Sequence, residues 1–296
     1  MEKTTDNQIS PVLILVLGIL AVSTASTFIR LAQDGVSSIA IAAWRMALAS
    51  LILAPFALTN CRQEWRRLQR EDWLFAVLSG LMLAVHFATW ITSLGMTSVA
   101  ASVVLVNTNP VFVGIISHFI LKERMRHWMT GGLFIAIAGT IIISLGDAQH
   151  SNHQLVGDLF ALGGAVSVAI YLLIGRQLRN KLSLLGYVFP VYSIAALGLM
   201  LFALLSKVDL VGIQPGMWVW LWLLAIIPQI IGHSSFNWAL GHVPATYVAL
   251  SALAEPLGST ALAWIFLGEV PSGATIIGGI FILAGISIAS RQKALS

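Results

Sequence analysis

The chain has 296 residues, of which 58% are hydrophobic and 9% charged, against about 25% charged in an ordinary soluble domain. So few polar groups cannot cover so much apolar surface in water, which excludes a soluble globular protein and points to one embedded in lipid. The net charge of +4 does not mark a nucleic-acid binder, since the basic residues sit in short stretches between apolar runs, and the single cysteine, Cys61, excludes a disulfide framework or a cysteine metal cluster.

After a polar start, the run from Pro11 to Ala32 is too long for a signal-peptide core and reads as a retained first helix. A spanning helix needs about 20 mostly apolar residues. Ten runs qualify: 11–32, 36–58, 73–94, 99–121, 128–146, 157–176, 184–206, 216–240, 244–267 and 271–290. The first, sixth and eighth are interrupted by Thr24, Thr27, Tyr171, Gln229 and His233. With the N terminus inside, the inner segments hold Lys3, Arg62, Arg66, Arg67, Arg70, Lys122, Arg124, Arg126, Arg176, Arg179, Lys181, Arg291 and Lys293, which is 13 of the 16 basic residues. That bias predicts both termini in the cytoplasm.

A shift of 146 residues pairs Gly18 with Gly164, Arg30 with Arg176, and Leu94-Gly95 with Leu240-Gly241. It also pairs Pro110 with Pro256, Glu123 with Glu269, Gly132 with Gly278, and Gly139 with Gly285. The chain therefore divides into two repeats, 1–149 and 150–296, of five helices each. Five is odd, so the second copy enters the membrane from the opposite side. The segment Lys122 to Arg126 has three basic residues, and its copy, Gly268 to Ser272, has none. The expected fold is an all-α membrane protein with ten transmembrane helices in two inverted five-helix repeats, a plan that secondary transporters use to alternate access around a midplane site.

The stretches "IAAWRMALASLILAPFAL", "REDWLFAVLSG" and "SLGMTSVAASVVLVNTNPVFVGIISHFILKERMRHWMTGGLFIAIAGTIIIS" resemble the EamA repeat of the drug/metabolite transporter superfamily. The second half repeats the ending as "LAEPLGSTALAWIFLGEVPSGATIIGGIFILAGISIAS". The resemblance covers nearly the whole chain and departs most at Phe189-Pro190-Val191, the counterpart of the Arg45 region. It implies a central cavity lined by helices 1, 3, 4, 6, 8 and 9, with helices 5 and 10 peripheral. It also implies export of amino acids, aromatic ones included, or related metabolites. Other members import sugars or carboxylates, so substrate and direction stay open.

Polar groups at membrane depth are functional candidates. Glu255, followed by Pro256, lies midway along the ninth helix and could carry a proton, attract a substrate amine, or serve as a structural carboxylate. Its repeat mate Asn109 cannot titrate. Arg45 is the only basic residue deep in a span, with an anchor role favoured over a clamp for a substrate carboxylate. His86 and Trp90 lie four apart, as do Gln229, His233 and Asn237, which predicts two polar stripes on cavity-lining helices. Trp90 and Tyr171 could stack on a substrate or simply pack. Ser251, one turn before Glu255, is a weaker candidate beside Thr24, Thr27 and Tyr247, because such hydroxyls often bond the preceding turn. Pro110 and Pro256 each free a carbonyl four residues back, as hinges or fixed kinks. Trp218, Trp220 and Trp222 fit an interfacial belt.

The sequence has no zinc helix or nucleophile elbow, which argues against an intramembrane enzyme, and no nucleotide loop for ATP-driven pumping. A non-transporting scaffold would not need inverted repeats with polar groups at midmembrane. The expectation is a non-enzymatic, multi-pass transporter of a bacterial inner membrane, with a small-molecule substrate and the lipid bilayer as partners. No nucleic acid, metal or cofactor is expected, and since two copies complete a pseudo-dimer, it should work as a monomer.

Overall fold

The computed structural model describes residues 10–120, 127–146, 154–270 and 273–290, and the regular structure within them is helical. The segment Lys122 to Arg126, Pro271-Ser272, and Lys3, Arg291 and Lys293 lie outside the described residues. The elements are α1 (Pro11–Ser23), α2 (Ala25–Gln33), α3 (Ser38–Asn60), α4 (Arg62–Arg66), α5 (Arg70–Leu94), α6 (Val99–Val106), α7 (Asn109–Ile120), α8 (His127–Gly146), α9 (Gln154–Leu178) and α10 (Leu184–Leu205). There follow α11 (Trp218–Leu224), a π-helical segment (Ala225–His233), α12 (Ser234–Leu240), α13 (Ala245–Ala252), α14 (Glu255–Leu267) and α15 (Gly273–Ser290). Among the described residues, eight helical stretches are long and apolar enough to cross a membrane. Within α8 and α15, shorter apolar stretches run over Thr130–Gly139 and Ile276–Gly285. Large apolar side chains stay exposed along the bundle, among them Leu20, Leu51, Phe134, Leu197 and Leu205. A surface of that kind suits lipid and not water.

Local chemistry sets the helix starts. Ser37, Ser98 and Ser183 each accept a backbone N–H three residues on, at 3.4, 3.1 and 3.0 Å, satisfying donors that a helix start leaves orphaned. At α5, Gln69 and Asp72 form a capping box, with the Gln69 N–H donating to Asp72 Oδ2 at 3.1 Å. At the end of α14, Gly268 takes a left-handed conformation, φ 70°, which a residue with a Cβ adopts only at a cost.

The predicted fourth and ninth spans are broken at their prolines. Pro110 and Pro256 stand second in α7 and α14, after turns at Asn107-Thr108 and Leu253-Ala254 that divide each span into half-helices. The carbonyl freed by Pro110, that of Val106, accepts from Asn109 Nδ2 at 3.2 Å. The interrupted first and eighth spans break too: Thr24 separates α1 from α2, and the eighth span widens into the π segment around Pro228, which holds Gln229 and His233.

Helix starts recur at the 146-residue offset, Val99 with Ala245, Asn109 with Glu255, and His127 with Gly273. Contacts recur in exchanged form. Gly18 packs against Ser235 and Phe236, while Gly164, its mate, packs against Thr89 and Trp90, the mates of those residues. A Cβ on Gly139 would stand 2.5 Å from the Gly278 carbonyl, and one on Gly285 would stand 2.5 Å from that of Gly132. Likewise α5 packs on α9 as α1 packs on the π segment and α12, and α6 meets α14 as α7 meets α13, while α3–α10 and α8–α15 pair with their own counterparts. Reciprocal contact of this kind characterises a two-fold interface.

Candidate functional site

The half-helix starts, the π segment and the α1–α2 break surround one small cavity of about 50 Å³. Five pairs of its lining residues are repeat mates: Val22 with Val168, Ala25 with Tyr171, Trp90 with Phe236, Val106 with Ala252, and Asn109 with Glu255. The cavity therefore straddles the boundary between the halves. Its lining draws on spans 1, 3, 4, 6, 8 and 9, and Arg45 adds the second span.

Of the residues picked out in the sequence, Arg45, His86, Trp90, Asn109, Tyr171, His233 and Glu255 line this cavity. Glu255 is the first residue of α14, where the helix dipole favours a carboxylate. Its Oε2 accepts from Asn107 Nδ2 at 3.4 Å. Asn109 stands at the same place in α7, with its Oδ1 buried and unpartnered. His86 Nδ1 donates to the Gly164 carbonyl at 3.0 Å, which fixes its tautomer. Its ring stacks with Trp90 at 5.8 Å and stands 6.3 Å from that of His233.

Gln229, Asn237 and Ser251 are not in the lining. Gln229 lies behind Arg45, accepting its Nε at 2.9 Å. Asn237 lies behind Tyr171, donating to its hydroxyl at 2.5 Å and to the His233 carbonyl at 2.8 Å. Ser251 donates to the Tyr247 carbonyl one turn back, and Thr24 to that of Ala21. The eighth-span stripe splits because i→i+5 bonding widens the π turn, so Gln229 and His233 do not stack as they would on an α-helix. Trp218 meets Trp44 edge-on at 4.9 Å and Trp220 meets Phe28 at 5.8 Å, whereas Trp222 remains exposed. The sequence reading missed Asn107, whose mate is Leu253, so the repeat carried no signal there; its sole mark is a second Asn just before Asn109-Pro110.

Multi-pass helices enclosing a charged chamber between reciprocal halves define the class of membrane transporters. The chain belongs to the EamA-like transporter family, whose match runs over residues 9–145 and again over 155–291. A pseudopaline exporter, CntI, of Pseudomonas aeruginosa strain UCBPP-PA14 is 26% identical over 288 residues, covering 96% of this chain and 97% of that one. An uncharacterised transporter of Archaeoglobus fulgidus is 26% identical over 278 residues, covering 94% and 95%. A solved crystal structure shares the fold, with a TM-score of 0.74 at 21% identity over 97% of this chain and 99% of that one.

Proposed function

We propose that this protein is a secondary transporter that exports small polar metabolites, amino acids foremost, by alternating access. In this reading ten helices form two inverted five-helix repeats, 1–149 and 150–296, in a bacterial inner membrane with both termini cytoplasmic, and a single copy suffices. The observation that carries the reading is the cavity itself. Arg45 and Glu255, side chains of opposite charge type, face one cavity in which ten of the sixteen lining residues form repeat-mate pairs. A chamber on such a boundary can open to either side as the halves exchange conformations. Export is favoured by the relative named as a pseudopaline exporter. Glu255 serves as the proton or amine site. Asn109, its mate, holds no exchangeable charge, so coupling is asymmetric.

The test is uptake of an amino-acid panel into proteoliposomes, with and without a proton gradient. The wild type is expected to respond to the gradient. Glu255→Gln is expected to lose that response, with the driven rate falling about tenfold, the loss of one charge-assisted interaction. Unchanged gradient dependence in the variant removes the proton role.

A further inference from the structure

Arg45 is completely buried, and two contacts hold it. Its Nε donates to Gln229 Oε1 at 2.9 Å, and its guanidinium lies over the Phe87 ring, with Cζ 4.1 Å from the centroid. Nη1 and Nη2 have no hydrogen-bond partner. Among the described residues the ion pairs are Arg30–Glu269 and Lys181–Asp72, so Glu255 lies beyond pairing distance. The other arginines near helix ends behave differently. Arg30 donates to the Leu94 carbonyl, Arg176 to that of Leu240, and Arg179 to that of Asn237. Those are anchors, and an anchoring Arg45 would likewise turn its terminal nitrogens onto carbonyls, because unpaired buried donors are costly. Instead, the side chain lines the cavity.

We propose that the Nη1/Nη2 edge of Arg45 receives a carboxylate of the transported molecule, with Gln229 and Phe87 as positioning residues. The inference rests on the transport reading above and names one contact within it. A guanidinium offers a carboxylate two forks, side-on through Nε and end-on through Nη1 and Nη2. Gln229 occupies Nε, which leaves the end-on fork, and the Phe87 face holds its plane. A space of about 50 Å³ admits only a few waters. The free donors are shut off from them until the chamber widens and lets a carboxylate reach the Nη1/Nη2 edge. Elsewhere in the same lining, beyond ion-pair distance from Arg45, Asn109 Oδ1 and Glu255 present acceptors to a donor group on the same molecule.

The test uses the full chain in detergent. Its thermal midpoint is measured with the common L-amino acids and with short mono- and dicarboxylates. Every compound that raises the midpoint is titrated again as its carboxamide. The carboxamides are expected to bind about 10- to 100-fold more weakly. Arg45→Lys, which keeps the charge and loses the fork, is expected to weaken the acids at least about tenfold and to leave the carboxamides unchanged. Gln229→Leu is expected to shrink the preference for acid over carboxamide. Equal binding of acid and carboxamide by the wild type overturns the assignment, and that comparison stands even if Arg45→Lys does not fold. A panel in which no carboxylate raises the midpoint also overturns it. Flux separates the two levels. If only uncharged solutes move in proteoliposomes, the Arg45 contact fails and transport survives, and if no solute moves faster than in protein-free vesicles, transport itself fails.

Discussion

Cys61 follows α3 as its C-cap, 2% exposed, with its Sγ 3.9 Å from Ser183 Oγ. Burial pushes its thiol up from the usual value, against a smaller opposing effect of the Ser183 hydrogen bond. Maleimides react with the thiolate, so a raised value leaves less of the reactive form at neutral pH, and raising the pH restores it. Labelling of the native protein near pH 7 is therefore expected to be at least about tenfold slower than after denaturation in SDS, with the gap narrowing as pH rises. Equal rates at pH 7 would mean that this corner between α3 and α10 is open. The same scale shows where sequence reading stops. Glu255, Asn109, His86 and Trp90 were legible because their spacing or their mates marked them. Arg45's setting was not, because its partner Gln229 lies 184 residues away in a segment whose π bonding the residue pattern did not announce.

Whole helices show a similar division. The offset of 146 predicted which helices correspond, and the prolines predicted where α6–α7 and α13–α14 divide, since Pro removes an N–H and crowds the preceding turn. Thr24 marked the first span as interrupted, but the residue type alone did not say that the helix would divide there, because a Thr within an apolar run is common in straight helices. The α8–α15 contact allows a test at this scale. Gly139 and Gly285 bring backbones close enough that a Cβ at either would stand 2.5 Å from a carbonyl oxygen across the contact. Gly139→Val and Gly285→Val are each expected to destabilise the protein by about 1–3 kcal/mol, as overpacking does. The reciprocal geometry further predicts losses that agree within about 0.5 kcal/mol, the scatter expected of such values. Reversible unfolding in mixed micelles measures both. Neutral effects, or a large loss at one site and none at the other, would contradict the reciprocal packing.

At the scale of the whole molecule, the account rests on two copies of one bundle meeting around a chamber. The match of the family to 9–145 and 155–291, the exchanged contacts and the paired cavity lining agree with it. In the proposed reading, the positive-inside bias sets the direction, and five spans per copy would point the copies opposite ways. Gln63, in the arginine-rich connection after α3, and Asp209, in the connection after α10, are repeat mates and both exposed. In a Cys61→Ser background, Gln63→Cys and Asp209→Cys are to be labelled separately with a membrane-impermeant maleimide, on intact cells and after permeabilisation. The account predicts labelling at position 209 on intact cells, and at position 63 only once the membrane is breached. Labelling of both positions from the same side would contradict it.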